Sequence, residues 1–147
     1  MATIYSERAV VDSDVAGTGH DVVALLARVL LVAMFLVSGF DKATGFTGTV
    51  SYIAGNGLPF PEVAATIAVT VELGLGLLVF LGWKSRWPAL MIAIYTIAAG
   101  LLFHAYWNDA PANRMDDYIN FWKNVSIAGG FLMIFAFGPG RYSIGRG

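Results

Sequence analysis

Four stretches of this 147-residue chain are each long and apolar enough to cross a bilayer as a helix, and little of the sequence lies outside them. A spanning helix needs about 20 predominantly apolar residues, because each adds 1.5 Å and the hydrocarbon core is about 30 Å thick. Residues 22–40, 63–82, 88–106 and 118–137 meet that requirement. A soluble bundle would need polar outer faces on the same helices, yet residues 91–103 contain no charged side chain. Only 13% of the chain is charged and 57% is hydrophobic, against about a quarter charged in soluble domains. The expected fold is therefore all-α, a four-helix transmembrane bundle formed by residues 21–147. Residues 1–20 read as a polar N-terminal arm, with Glu7, Asp12 and Asp14 before Gly17 and Gly19. No small-residue cleavage site follows the first apolar run, so the first helix is expected to remain in place.

Lysines and arginines in short loops set orientation. Arg8, Lys84, Arg86, Arg141 and Arg146 fall on one side of a four-span chain, while Lys42 and Arg114 fall on the other. Both termini are accordingly expected in the cytoplasm. The net charge of -1 offers no basic excess for phosphate, which excludes nucleic acid as a partner. Lipid and other protein subunits are the expected partners. With no cysteine, disulfides, thiolate-bound zinc and iron–sulfur clusters are excluded. His20 and His104 fall near opposite ends of the bundle, about 30 Å apart, so one protomer does not supply both axial ligands of a haem. The expectation is no metal and no intrinsic cofactor.

Charges inside a span cost at least ~2.5 kcal/mol each and therefore face a partner or a cavity. On the second span, Ala65, Ala68, Glu72 and Gly76 share a stripe of small residues, which turns Glu72 towards a neighbouring helix. Counted by helical rise from the cytoplasmic ends of the apolar runs, Arg28 and Glu72 differ in depth by only about 6 Å. A buried Arg28–Glu72 ion pair is the resulting expectation. Nearer the outer side, the third span presents Ala93, Ile97, Gly100 and His104, the fourth presents Asp116, Asn120 and Lys123, and Lys42 closes the first. Glu72, His104 and Lys123 are the candidates for proton handling; Lys42, Phe60 and Asn120 are candidates for ligand binding. The bland alternatives are that Lys123 snorkels outward and that His104, beside Tyr106 and Trp107, is an interfacial residue.

In chain order, Arg28, Ser38-Gly39, Lys42, Gly57-Leu58-Pro59, Glu72 with Gly76 and Gly82, Asn124 with Gly129-Gly130, and Gly138-Pro139-Gly140 with Tyr142-Ser143 carry a pattern. That pattern resembles the DoxX family of small four-helix membrane proteins, and the likeness covers residues 28–143. Leu75 stands where the family often has glycine, and the loop over residues 108–117 is unusual for it. The resemblance implies a bacterial inner-membrane location, adds Asn124 to the ligand-binding candidates, and suggests a bound quinone in a subunit of quinone-linked oxidoreduction. A noncatalytic anchor or assembly subunit for another enzyme is the alternative, and a transporter of small solutes or lipophiles is a third. Any redox chemistry would depend on a separate partner, because the chain itself holds no electron carrier.

Overall fold

The structure is a computed structural model in which residues 2–111 and 114–145 are described. Helix α1 runs Ala2–Thr44, a short α2 Phe46–Gly55, α3 Pro61–Leu81, α4 Arg86–Phe103 and α5 Arg114–Phe137. Four of these, α1 from Gly19, α3, α4 with the turn that follows it, and α5, are long and apolar enough to cross a membrane. The surface matches the solvent for which they are built: Leu30 and Phe137 are each 75% exposed, as side chains that face lipid should be. Residues 2–20, whose composition reads as an arm, continue α1 as helix.

Large and small residues alternate across the bundle axis. Val32 and Phe35 of α1 meet Val79 of α3, Ile92 and Ala93 of α4, and Ala128 and Phe131 of α5. Phe35 sets its ring edge-on to Phe131 at 5.1 Å, an arrangement favoured by the aromatic quadrupole. Helices α4 and α5 form the most extensive pair. Close approach of α1 and α3 depends on Gly39, where a Cβ would lie 2.8 Å from the Glu72 Cβ and 3.0 Å from the Leu73 backbone nitrogen. Gly39→Leu is expected to destabilise the bundle by about 1–3 kcal/mol through overpacking. Thermal unfolding in mild detergent reads that loss, and an unchanged Tm would show that the helices can separate freely.

At the end of the bundle that carries both termini, the chain after α5 folds back under the helices. Gly138 and Gly140 take positive φ of 87° and 82° to make that turn. The segment is fastened by Arg28, which donates from Nη1 to the Pro139 carbonyl at 2.5 Å and from Nη2 to the Tyr142 carbonyl at 2.6 Å. Gly82 leaves the room: a Cβ there would come within 2.8 Å of Arg28 Nη1. The Ile144 amide then bonds to the Leu81 carbonyl at 3.1 Å. Asp21 and Arg141 approach to 3.9 Å, so both ends of the membrane domain share this terminal end, and the other end is distal.

The expected Arg28–Glu72 pair does not form. Glu72 lies level with Gly39, eleven residues beyond Arg28 on α1 and so about 16 Å away along the axis, farther than an arginine reaches. The first apolar run begins well before the level at which α3 ends, and Arg28 consequently sits beside Gly82 rather than above it.

Candidate functional site

Helix α3 does not cross as uniform α-helix. Thr70–Leu75 form a π-helical turn between α-helical Pro61–Val69 and Gly76–Leu81, and Glu72 sits within it. Single π turns inside α-helices are costly and frequent at functional sites, because they re-aim one side chain. The local sequence prepares it: the hydroxyls of Thr66 and Thr70 donate to the carbonyls of Glu62 and Thr66 at 2.8 and 2.7 Å, a back-bonding that loosens the regular ladder.

Glu72 is 4% exposed. Its Oε2 accepts from Lys42 Nζ at 2.9 Å and its Oε1 from the Tyr95 hydroxyl at 2.6 Å. Lys42 also donates to the Ser38 hydroxyl one turn back on α1. Three helices thus converge on one carboxylate whose charge is answered by an ammonium and whose second oxygen is hydrogen-bonded, the condition under which a buried ion is tolerable.

This cluster forms the floor of a cavity of about 460 Å³ in the distal half of the bundle, within the size range of small-molecule sites. Its walls are mainly apolar: Phe35, Ile67, Ala68, Ala99 and Leu102 among them. Helix α2 lies over it with Thr49, Tyr52 and Ile53, and Tyr52 stacks on Phe103 of α4 at 5.7 Å. Across from the floor are His104 and Asn124. Asn124 packs beside Gly100 and makes no side-chain hydrogen bond to another described residue, so both its donor and its acceptor are available.

Of the residues singled out in the sequence, Glu72, Lys42, His104 and Asn124 line this one space. Phe60, Asn120 and Lys123 do not. Phe60 takes a left-handed turn, φ 54°, ahead of Pro61 and is 76% exposed. Lys123 donates to Asn120 at 2.7 Å on the exposed face of α5. Tyr95, Ser38 and Tyr52 complete the site without having been marked as candidates; the available signal was a lone phenol in the middle of the third apolar run.

The same chain can be set beside known proteins. The DoxX family profile matches residues 23–105. The chain belongs to the DoxX family. This DoxX protein is 42% identical over 130 residues to the inner membrane protein YphA of Escherichia coli (strain K12), covering 88% of this chain and 93% of YphA. It is 36% identical to the inner membrane protein YqjF of the same organism, over 86% of this chain and 92% of YqjF. A shorter likeness, 35% over 51% of this chain and 54% of the other, links it to CatD of Bacillus subtilis (strain 168), whose name suggests an oxidoreductase. No solved structure matches the chain significantly. With four apolar spans and relatives named for the inner membrane, this DoxX protein is a multi-pass protein of the bacterial inner membrane.

The family pattern resolves into two physical devices. Arg28, Gly82, Pro139 and Tyr142 build the fastening at the terminal end. Ser38, Gly39, Lys42, Glu72 and Asn124 build the cavity and its floor.

Proposed function

We propose that this DoxX protein is a quinone-binding membrane subunit that works with a separate redox partner. The observation that carries this reading is the cavity: apolar walls in a membrane protein, with a Lys42–Glu72–Tyr95 cluster at one end and an unengaged Asn124 with His104 at the other. A quinone ring has polar oxygens on opposite edges and an apolar body and tail, and this donor set fits that pattern. Lys42, with its third N–H, would donate to one oxygen while Glu72, held by the Tyr95 hydroxyl, keeps the counter-charge; Asn124 serves the other as donor or acceptor. When bound, the ring supplies two-electron, two-proton chemistry. The electrons come from or go to the partner subunit. CatD's name points in the same direction.

The partner is expected on the cytoplasmic side, at the terminal end. Lys84, Arg86 and Arg141 gather there, whereas Arg114 lies at the distal end and Lys42 and Lys123 sit within the spans, and the excess of positive charge outside the spans is expected to face the cytoplasm. Cysteines placed at Asn56 and Lys84, both in exposed loops, are expected to react from opposite faces of intact cells. Reaction from the same face would reject the topology. Helix α1 extends from Ala2 to the start of its span at Gly19, a length suited to contacting a protein outside the bilayer. That extension also supports the anchor reading, in which docking is the whole function.

Titration of the purified protein in lipid nanodiscs with a short-chain benzoquinone separates the two readings. Saturable quenching of tyrosine and tryptophan fluorescence is expected, with Glu72→Gln and Asn124→Ala each weakening binding about tenfold, the equivalent of one hydrogen bond to a charged or buried partner. Quenching that rises linearly and is indifferent to both substitutions would leave the anchor reading.

A further inference from the structure

At the distal end, the side chain of His104 connects the cavity with a carboxyl group outside it. His104 caps the end of α4, its ring lines the cavity, and its Nδ1 lies 2.8 Å from Asp117 Oδ1 in the first turn of α5. Asp109, in the loop between the two helices, has its carboxyl group close to that of Asp117. His104 lies nine residues beyond Tyr95 on α4, so about 13 Å of cavity separates it from the Glu72 cluster.

We propose that His104, Asp117 and Asp109 form a proton relay between the cavity and the aqueous phase at the distal end. The geometry fixes the direction of the first bond. Asp117 as a carboxylate can only accept, so His104 carries its hydrogen on Nδ1 and keeps the Nε2 lone pair for a proton from the cavity. As the neutral acid, Asp109 would donate to Asp117. Its Oδ2 is shut off from solvent without a hydrogen-bond partner among the described residues, an environment that favours the neutral acid. Burial, and then the neighbouring Asp117, raise the pKa of Asp109 above the usual aspartate value, while Arg114 opposes the shift. Arg114 itself is turned to the Tyr106 carbonyl at 3.2 Å. On the cavity side, the charged groups facing the relay are Lys42 and Glu72, which neutralise each other.

One passage conserves charge and atoms. A proton taken up at Nε2 makes the imidazolium; the Nδ1 proton passes to Asp117; the aspartate pair, now holding two protons, releases one to water through Asp109. The ring is left with its hydrogen on Nε2, and a water molecule that takes up that proton and returns one to Nδ1 restores the first tautomer with no net gain or loss. One proton enters, one leaves, and no electron moves. The relay deepens the quinone reading, since it would connect the far edge of the ligand to bulk water, but it is testable without any ligand.

The experiment uses the full chain carrying His20→Gln, labelled on the remaining histidine ring and reconstituted in lipid, with nuclear magnetic resonance reporting exchange of the His104 ring proton with water. Asp109→Asn is expected to slow that exchange about tenfold or more, the scale of losing one positioned proton carrier, while leaving the Nδ1–H tautomer intact. Asp109→Glu, which restores a carboxyl group, is expected to recover most of the rate and controls for damage to the loop. Equal exchange in wild type and Asp109→Asn would overturn the relay. Benzoquinone titration of the same samples is read separately: failure to bind removes the quinone reading, while slowed exchange still upholds the relay.

Discussion

Replacing Glu72 by leucine is expected to lower the stability of the bundle by about 3–5 kcal/mol, the cost of removing one member of a buried ion pair. The loss arises from what is left behind. Lys42 would keep an ammonium inside the span with only the Ser38 hydroxyl beside it, and Tyr95 would lose its acceptor in an apolar wall. Thermal unfolding in mild detergent should show a large fall in Tm, accompanied by reduced yield from membranes. Adding Lys42→Met to the Glu72→Leu protein removes the stranded charge and is expected to return part of the loss, so that the two substitutions are strongly non-additive. A Glu72→Leu protein as stable as wild type would mean that the cluster does not hold the helices together.

Arg28→Met is expected to have the second-largest effect, and a more local one. Two charge-assisted hydrogen bonds to backbone carbonyls disappear, each worth about 1.5–3 kcal/mol, and with them the fastening of the segment after α5. The Ile144 amide, bonded to the Leu81 carbonyl in the intact protein, should then exchange hydrogen with water much faster. Arg28→Lys is not expected to rescue it, because a single ammonium lacks the planar fork that reaches both Pro139 and Tyr142. The cavity lies in the other half of the bundle, so quinone quenching should be retained in any Arg28→Met protein that folds. Unchanged exchange at Ile144 would show that the glycine turn alone holds the segment.

The sequence makes the four spans legible because length and hydropathy are sufficient physics for them. It also makes legible which face of α3 is buried: Ala65, Ala68, Glu72 and Gly76 all lie inside, since small residues mark close helix approach. The partner of Glu72 is another matter. Depth counted from the start of an apolar run assumes that every helix begins at the same membrane level, and α1 is already helical long before its span. Lys42, assigned to the outer end, reaches back to Glu72 instead because Gly39 brings the two backbones together.

Three further features were hidden for physical reasons. Helix α2, with ten residues interrupted by Gly48 and ending at Gly55, is too short to span and has no side-chain cap to announce it. Its helicity comes from packing over the cavity, where Ile53 is buried. Tyr95 escaped notice because the buried face of α4 is displaced from the stripe read by spacing: Thr96 is inside and Ile97 is 36% exposed. A phenol among aliphatic residues gives no periodic signal of its own. The π turn at Thr70–Leu75, which aims Glu72, is a tertiary compromise that no propensity encodes.

The central claim, that the distal cavity is a quinone site, is tested most directly by light-activated crosslinking with an azido-benzoquinone in native membranes, followed by peptide mapping. The expected result is labelling concentrated on cavity residues such as Tyr52, Ile67 and Leu102, abolished by excess unmodified benzoquinone and by filling the cavity with Ala99→Phe. Labelling spread over outward-facing residues such as Leu30 and Val37, undiminished by competitor and by the filled cavity, would contradict it.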